Sequence, residues 1–262
     1  MTLSPVPESM SDHHLAVDIA RLAGALLLQT RKTMVADGLD EMTLRSRGDS
    51  LSNELILRLL AEHRSRDAVL SEESKDDLAR LREERVWIID PLDGTREYAE
   101  GRSDWAVHVA LVVGGTPRAA AVGLPDRAVV LSTAEVPPLP SKSPGRVRLL
   151  VSRTRPTPLA DHLARELDAE LVAMGSAGAK AMAVVLGEGD VYAHSGGQYE
   201  WDSAAPVGVA SSAGLHTSRL DGAPLIYNRA DPYLPDLLVC RPELAPAVLS
   251  AVGRSGWSNS SD

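Results

Sequence analysis

The sequence predicts an α+β protein of mixed α/β character, built as two stacked sheets with helical layers between and around them. Three observations predict it. Apolar strands follow one another in meander order between residues 86 and 131, and strands and helices alternate from Val147 onward. Between the two patterns lies 137–145, rich in proline and serine, the one clear linker. At 262 residues, with 44% hydrophobic and 24% charged content, the chain has the composition of a globular protein able to bury a full core. We therefore expect an α+β half over 1–136 and an α/β half over 146–262.

Apolar residues at helical spacing from Leu15 to Thr30, with Asp12 available as a cap, predict a long first helix. A polar connection from Asp37 to Gly48 leads to a second helix over Leu51–His63, opened by Asp49. Ala68-Val69-Leu70 is a short strand that delivers Ser71-Glu72-Glu73, and Asp76–Arg85 is charged and expected to be exposed. Val86–Ile89 has the β-branched and aromatic composition of a buried strand. Pro91 is expected to end that strand because it has no N–H to donate, and Gly94 permits a tight turn. Ala106–Val113 is a continuous apolar strand, and Ala119–Val122 pairs with Ala128–Leu131 beyond a Gly-Gly-Thr-Pro turn.

The second half reads as strands at Val147–Val151, Leu171–Met174, Val191–Ala193 and Leu237–Cys240. Helices fall at Leu159–Leu167, Ala179–Leu186, Ser203–Ala213 and Leu244–Val252, and Gly253–Asp262 forms a loose tail.

Bulk properties exclude several functions. A net charge of −9 argues against binding nucleic acid polymers through a basic surface. A small anionic substrate stays open, because bound metal ions invert the local field. Cys240 is the single cysteine, which rules out an intrachain disulfide or a cysteine-based zinc cluster, and its apolar strand suits a plain buried thiol. The stretch before Ser11 lacks the regions of a signal peptide and no apolar run reaches transmembrane length, so no membrane role and a cytoplasmic location are expected. Neither a P-loop nor a Cys–His or Ser–His–Asp signature is present. His13 and His14 near the N-terminus suggest no zinc role, and His108 in its apolar strand reads as a satisfied core histidine.

The chemistry-bearing residues are carboxylates. Asp90 and Asp93 follow the Val86–Ile89 strand, and two acids three residues apart repel unless a cation sits between them. Mg²⁺ takes such oxygen ligands and keeps positions open for water and phosphate. A solvated acidic turn is the bland alternative for that spacing alone. Asp202, before an apolar helical run, suits either an N-cap or chemistry, and Asp49 carries the same ambiguity.

Asp90-Pro91-Leu92-Asp93-Gly94-Thr95, with Glu72-Glu73 upstream and Trp201-Asp202 downstream in that order, resembles the inositol monophosphatase superfamily. The resemblance implies a layered αβαβα sandwich of the inositol monophosphatase/fructose-1,6-bisphosphatase type and a Mg²⁺-dependent, lithium-sensitive phosphatase. Val69-Leu70-Ser71-Glu72-Glu73 and Leu150-Val151-Ser152-Arg153-Thr154-Arg155 are similar to the CysQ-type branch acting on 3′-phosphoadenosine 5′-phosphate. That branch implies a 3′(2′),5′-bisphosphate nucleotidase, a place in sulfate assimilation, and the 5′-phosphosulfate form as a second substrate. His194-Ser195 stands where an inositol-specific enzyme would carry a glutamate. Arg45-Ser46-Arg47-Gly48-Asp49 departs from the family's usual Ser-Pro-Val-Thr-like lead-in while keeping the acid.

By the same resemblance Glu72, Asp90 and the Leu92 carbonyl hold one ion beside the attacking water. Asp90, Asp93 and Asp202 hold a second facing the leaving group, with two or three ions per site. Asp49 and Thr95 orient the water, with Glu72 counted among the catalytic groups and preferred to Glu73 as ligand. Gly94 and Thr95 receive the scissile phosphate; Ser152, Arg153, Lys180 and Glu200 complete the substrate contacts. Arg153 and Arg155 are surface arginines by default, or a clamp for a second phosphate. The rivals are an inositol phosphate or fructose 1,6-bisphosphate phosphatase and a non-catalytic binding protein. Family members are often homodimers, though no patch in the sequence establishes one here.

Overall fold

A computed structural model describes residues 10–142, 144–154 and 157–258. Along the chain these form α1 (Asp12–Ala36), α2 (Glu41–His63), β1 (Ala68–Ser71), β2 (Arg85–Asp93), α3 (Thr95–Ala99), β3 (Ala106–Val113), β4 (Thr116–Leu124) and β5 (Val129–Ser132). There follow β6 (Val147–Ser152), α4 (Pro158–Glu166), β7 (Ala169–Met174), α5 (Ala177–Val185), β8 (Val191–His194), β9 (Gln198–Tyr199) and α6 (Glu200–Ser212). The chain closes with β10 (His216–Ser218), β11 (Tyr233–Leu234), β12 (Leu237–Cys240) and α7 (Ala245–Arg254).

The first sheet runs β1-β2-β3-β4-β5, antiparallel apart from the parallel pair β1 and β2. Strand alternation gives it two buried faces. Trp87, Ile89, Val107, Val109 and Leu111 join α1 and α2 in one core, whereas Val86, Ile88, Ala106, Ala110 and Val112 join α5 and α6 in another. The second sheet, β10-β12-β8-β6-β7, covers the far side of α5 and α6 and carries α4 and α7 on its outer face. The layers are α1/α2, sheet, α5/α6, sheet, α4/α7, which is the expected αβαβα sandwich. His108 shares the parity of Ala106 and Ala110, so it faces the middle helices.

Several boundaries differ from expectation, each for a local reason. Residues 41–48 are helical and not a polar connection, because Asp40 caps α2 by accepting the Thr43 N–H at 2.8 Å. Asp49 therefore lies inside α2 and does not open it. Gly48 suits that helix despite its low propensity, since a Cβ there would meet Leu92 at 2.9 Å and Tyr98 at 3.0 Å. Pro91 does not end β2: the strand continues to Asp93 across a register shift between Asp90 and Asp93, where its missing N–H is tolerated. The buried Ser52 hydroxyl donates to the Pro91 carbonyl at 2.7 Å and pins this irregular stretch to α2. Asp202 is not the N-cap of α6 but lies in its first turn, accepting the Tyr199 N–H at 2.7 Å.

The charged segment 76–85 is not wholly exposed. Arg80 is buried, held by Asp76, the Asn228 amide oxygen and the Arg229 carbonyl. Gly253 and Arg254 belong to α7, and residues 259–262 of the expected tail lie outside the described residues.

Candidate active site

The bulged end of β2 places Asp90 and Asp93 side by side, and the first turn of α6 brings Asp202 to them. One oxygen from each lies within 4.8 Å of the others. Glu72 follows β1, and its N–H reaches the Ile89 carbonyl at 3.4 Å, extending the parallel pairing and setting the side chain beside Asp90. Asp90 and Glu72 share a hydrogen bond, which lowers the pKa of Glu72 and raises that of Asp90.

Burial and mutual repulsion dominate this cluster electrostatically. Burial, then the charges of Glu72, Asp93 and Asp202, push Asp90 well above the usual carboxylate range. Burial and Asp202 raise Glu72 to about 7, although the residue as a whole remains accessible. Burial and Asp93 raise Asp202 to about 6. Converging carboxylates that resist ionising together are the donor set a hard divalent cation fits, so the residues suit Mg²⁺.

Asp93 is the exception. Burial alone would raise it, yet the His108 imidazole, the Ser176 hydroxyl and the Gly178 N–H hold it down at about 2. Its Oδ2 accepts from Ser176 Oγ at 2.5 Å and from the Gly178 N–H at 2.6 Å, and its Oδ1 accepts from the Ala177 N–H at 3.2 Å. The N-terminus of α5 thus grips this carboxylate with N–H groups that have no partner inside the helix. His108 is fully buried, as its strand predicts, but it is more than core filling. Its Nε2 lies 3.2 Å from Asp93 Oδ2 and its Nδ1 donates to the Trp201 carbonyl at 3.0 Å. Burial would lower its pKa; Asp93 raises it.

These acids line a cavity of about 740 Å³. Leu92, Gly94 and Thr95 line it as well. Gly94 takes φ +88°, and a Cβ there would meet Ser176 at 3.1 Å and Trp105 at 3.2 Å, so this turn has no room for a side chain. Thr95 also lines an adjoining pocket with Asp49, Glu73 and Arg45. Burial, then Glu73 and Glu72, raise Asp49 to about 8.

Ser152, Arg153 and Lys180 line the same cavity. Arg153 donates to Glu97 at 2.9 Å and Glu100 at 2.8 Å, while Arg155 lies outside the described residues. Lys180 is buried and donates to the carbonyls of Gly175 at 3.1 Å and Ser176 at 2.5 Å. Burial lowers its pKa, opposed by Asp93, Glu97 and Asp202. Glu200 departs from expectation as a substrate contact. It does not line the cavity, because its carboxylate accepts the N–H groups of Asn228 at 2.7 Å and Arg229 at 2.9 Å and so anchors that loop. Ser195 donates to the Thr157 hydroxyl at 3.1 Å, beside the cap of α4.

The inositol monophosphatase family model matches residues 11–255. The chain belongs to the inositol monophosphatase family. It is 53% identical over 240 residues to the 3′-phosphoadenosine 5′-phosphate phosphatase of Mycobacterium bovis, covering 88% of this chain and 89% of that one. It is 30% identical over 237 residues to the 3′(2′),5′-bisphosphate nucleotidase CysQ of Escherichia coli, covering 82% and 94%. Among solved structures, CysQ from Bacteroides thetaiotaomicron superposes with a TM-score of 0.77 at 25% identity, over 89% of this chain and 98% of that one.

Proposed function

We propose that this chain is a Mg²⁺-dependent phosphatase that removes the 3′-phosphate of 3′-phosphoadenosine 5′-phosphate, leaving AMP and phosphate. The observation that carries the chemistry is the convergence of Asp90, Asp93 and Asp202 within 4.8 Å beside a cavity that also presents Arg153 and Lys180. The names of the 53% and 30% identical relatives support the substrate.

Glu72, Asp90, the Leu92 carbonyl, Asp93 and Asp202 are the groups that would hold Mg²⁺. When bound, the metal shields phosphate charge and makes water a better nucleophile. The chain's own groups do the rest. The Gly94 and Thr95 N–H groups receive the 3′-phosphate. Thr95 and Asp49 orient the attacking water through hydrogen bonds. Arg153 clamps the 5′-phosphate, which the guanidinium fork fits better than an ammonium does. The reading extends to the 5′-phosphosulfate form as a second substrate, inhibition by Li⁺ and service in sulfate assimilation. Among the described residues no helix is long and apolar enough to cross a membrane.

A substrate panel with and without Mg²⁺ and Li⁺ tests this. The bisphosphonucleotide should turn over faster than inositol 1-phosphate and fructose 1,6-bisphosphate, only with Mg²⁺, and less with Li⁺. Faster hydrolysis of inositol 1-phosphate would overturn the substrate, and no turnover of any phosphoester would favour a binding protein.

A further inference from the structure

Six buried side-chain atoms among the described residues have no hydrogen-bond partner, and they are not scattered. Arg45 Nε, Arg153 Nε, Tyr192 Oη and both Gln198 heteroatoms belong to residues lining the catalytic cavity. The sixth, His108 Nε2, makes the ion-pair contact to Asp93. Each arginine has other nitrogens engaged, with Glu41 or with Glu97 and Glu100. Gln198 is different: it is 6% exposed and both ends of its carboxamide are idle. Buried amides left unpaired are rare in folded proteins because their lost hydration is uncompensated.

The backbone that carries Gln198 is fixed. Gly197 donates its N–H to the Pro235 carbonyl at 3.1 Å, Gln198 pairs with Leu234 in the β9–β11 ladder, and Glu200 donates to the Pro232 carbonyl at 2.8 Å. Gly197 takes φ +76°, and a Cβ there would meet the Tyr233 hydroxyl at 2.2 Å, so the loop is clamped under that ring. The residue is therefore fixed in the wall, but both amide atoms are sealed from solvent as they stand, so the side chain turns about its own bonds to present them to a ligand in the cavity.

Its chemistry narrows the ligand. A carboxamide offers a donor and an acceptor side by side. A phosphate presents only acceptors and a metal ion would use only the oxygen; either leaves half the amide unpaired. A heterocyclic base with adjacent acceptor and donor satisfies both ends, as in bidentate glutamine–adenine pairs. Tyr199 and Trp201, stacked at 4.7 Å and 10°, line the same cavity and supply planar apolar surface suited to a base.

We propose that Gln198 reads the base of the nucleotide, pairing its carboxamide with the ring nitrogen and exocyclic amine of adenine. The assignment rests on the nucleotide phosphatase function proposed above. It makes Gln198 a specificity-determining residue, remote from the reacting phosphate.

The test compares 3′-phosphoadenosine 5′-phosphate with its N6,N6-dimethyl analogue, which lacks the amine donor, on the wild type and on Gln198→Leu with Mg²⁺ present. The wild type should prefer the natural base by about 10-fold or more in kcat/KM, and the variant's preference should collapse toward unity. Equal use of both bases by the wild type, or an unaltered preference in Gln198→Leu, overturns the proposal and leaves the amide to a buried water. If Gln198→Leu does not fold, Gln198→Met with the same pair gives the ratio. If the wild type hydrolyses neither nucleotide, the phosphatase function fails instead. Calorimetric binding of AMP against N6,N6-dimethyl-AMP then decides on Gln198 separately, with equal affinity overturning the proposal.

Discussion

His108 Nε2 stands 3.2 Å from Asp93 Oδ2 with the ring fully buried, and its other nitrogen is tied to the carbonyl of Trp201, the residue before Asp202. One imidazole from β3 thus orients an acid on β2 and braces the turn that supplies another on α6. Groups that orient metal ligands from behind typically change affinity or activity by about 10–100-fold when removed. His108→Leu should weaken Mg²⁺ binding by that factor, measured by calorimetric titration, with a parallel fall in turnover. Undiminished Mg²⁺ affinity would show that the ring merely fills space.

Asp90 behaves oppositely to Asp93: burial and the charges of its neighbours push its pKa well above the usual carboxylate range. Asp90→Asn keeps the shape of the acid without its capacity to ionise. The variant should melt at or above the wild-type temperature in cation-free buffer near pH 8, yet lose about 1,000-fold or more in turnover. Retained turnover would remove Asp90 from the metal site. Asp93→Asn is a less clean probe, because its amide nitrogen would face the Ser176, Ala177 or Gly178 donors.

Stability should depend on pH in a direction set by these groups. Asp202, Glu72 and Asp49 have folded pKa values of about 6, 7 and 8, above those of the unfolded chain. Their contribution is complete below the unfolded values of about 4 and is lost as pH rises through the folded ones. Asp93, held at about 2, has the opposite sign: its contribution is present above the ordinary carboxylate value and fades only as the pH falls toward 2. Cation-free protein should therefore melt at falling temperature from about pH 5 to about pH 9, by several degrees. Added Mg²⁺ should raise the midpoint more at the alkaline end. A flat profile in calorimetry would contradict the repulsive cluster.

Gly178 offers a steric test of the same arrangement. A Cβ there would fall 2.0 Å from His108 Nε2, closer than any real contact. Gly178→Ala should cost about 3 kcal/mol in chemical denaturation, well beyond an ordinary helical substitution, and displace His108 from Asp93. A neutral effect would mean that α5 can shift without disturbing the acid.

The parts legible in the sequence were those whose signal is local. Asp90 and Asp93 follow an apolar strand and Asp202 precedes an apolar helix, so their placement could be argued from neighbours along the chain. The start of α2 was less accessible: Asp40 and Asp49 are both plausible caps, and only the packing of Gly48 against Leu92 and Tyr98 shows why the helix runs through it. Ser176 and Gly178 carried a weak signal, a small-residue run before an apolar helix with serine at the cap. The partnership of His108 with Asp93 and the idle amide of Gln198 carried none, since each is defined by contacts across the fold. Glu200 misled because its neighbours Trp201 and Asp202 line the cavity while its own carboxylate turns to the 228–229 backbone.

The middle layer has a consequence for how this protein could be divided. Asp93 comes from the first sheet but is gripped by α5, and Asp202 arrives on α6, so both helices from beyond the 137–145 stretch complete a site begun before it. Severed there, neither fragment would hold the whole acid set, and each would expose an apolar face that the other normally covers. Turnover would return only as the fragments reassociate, making the enzyme a natural complementation reporter.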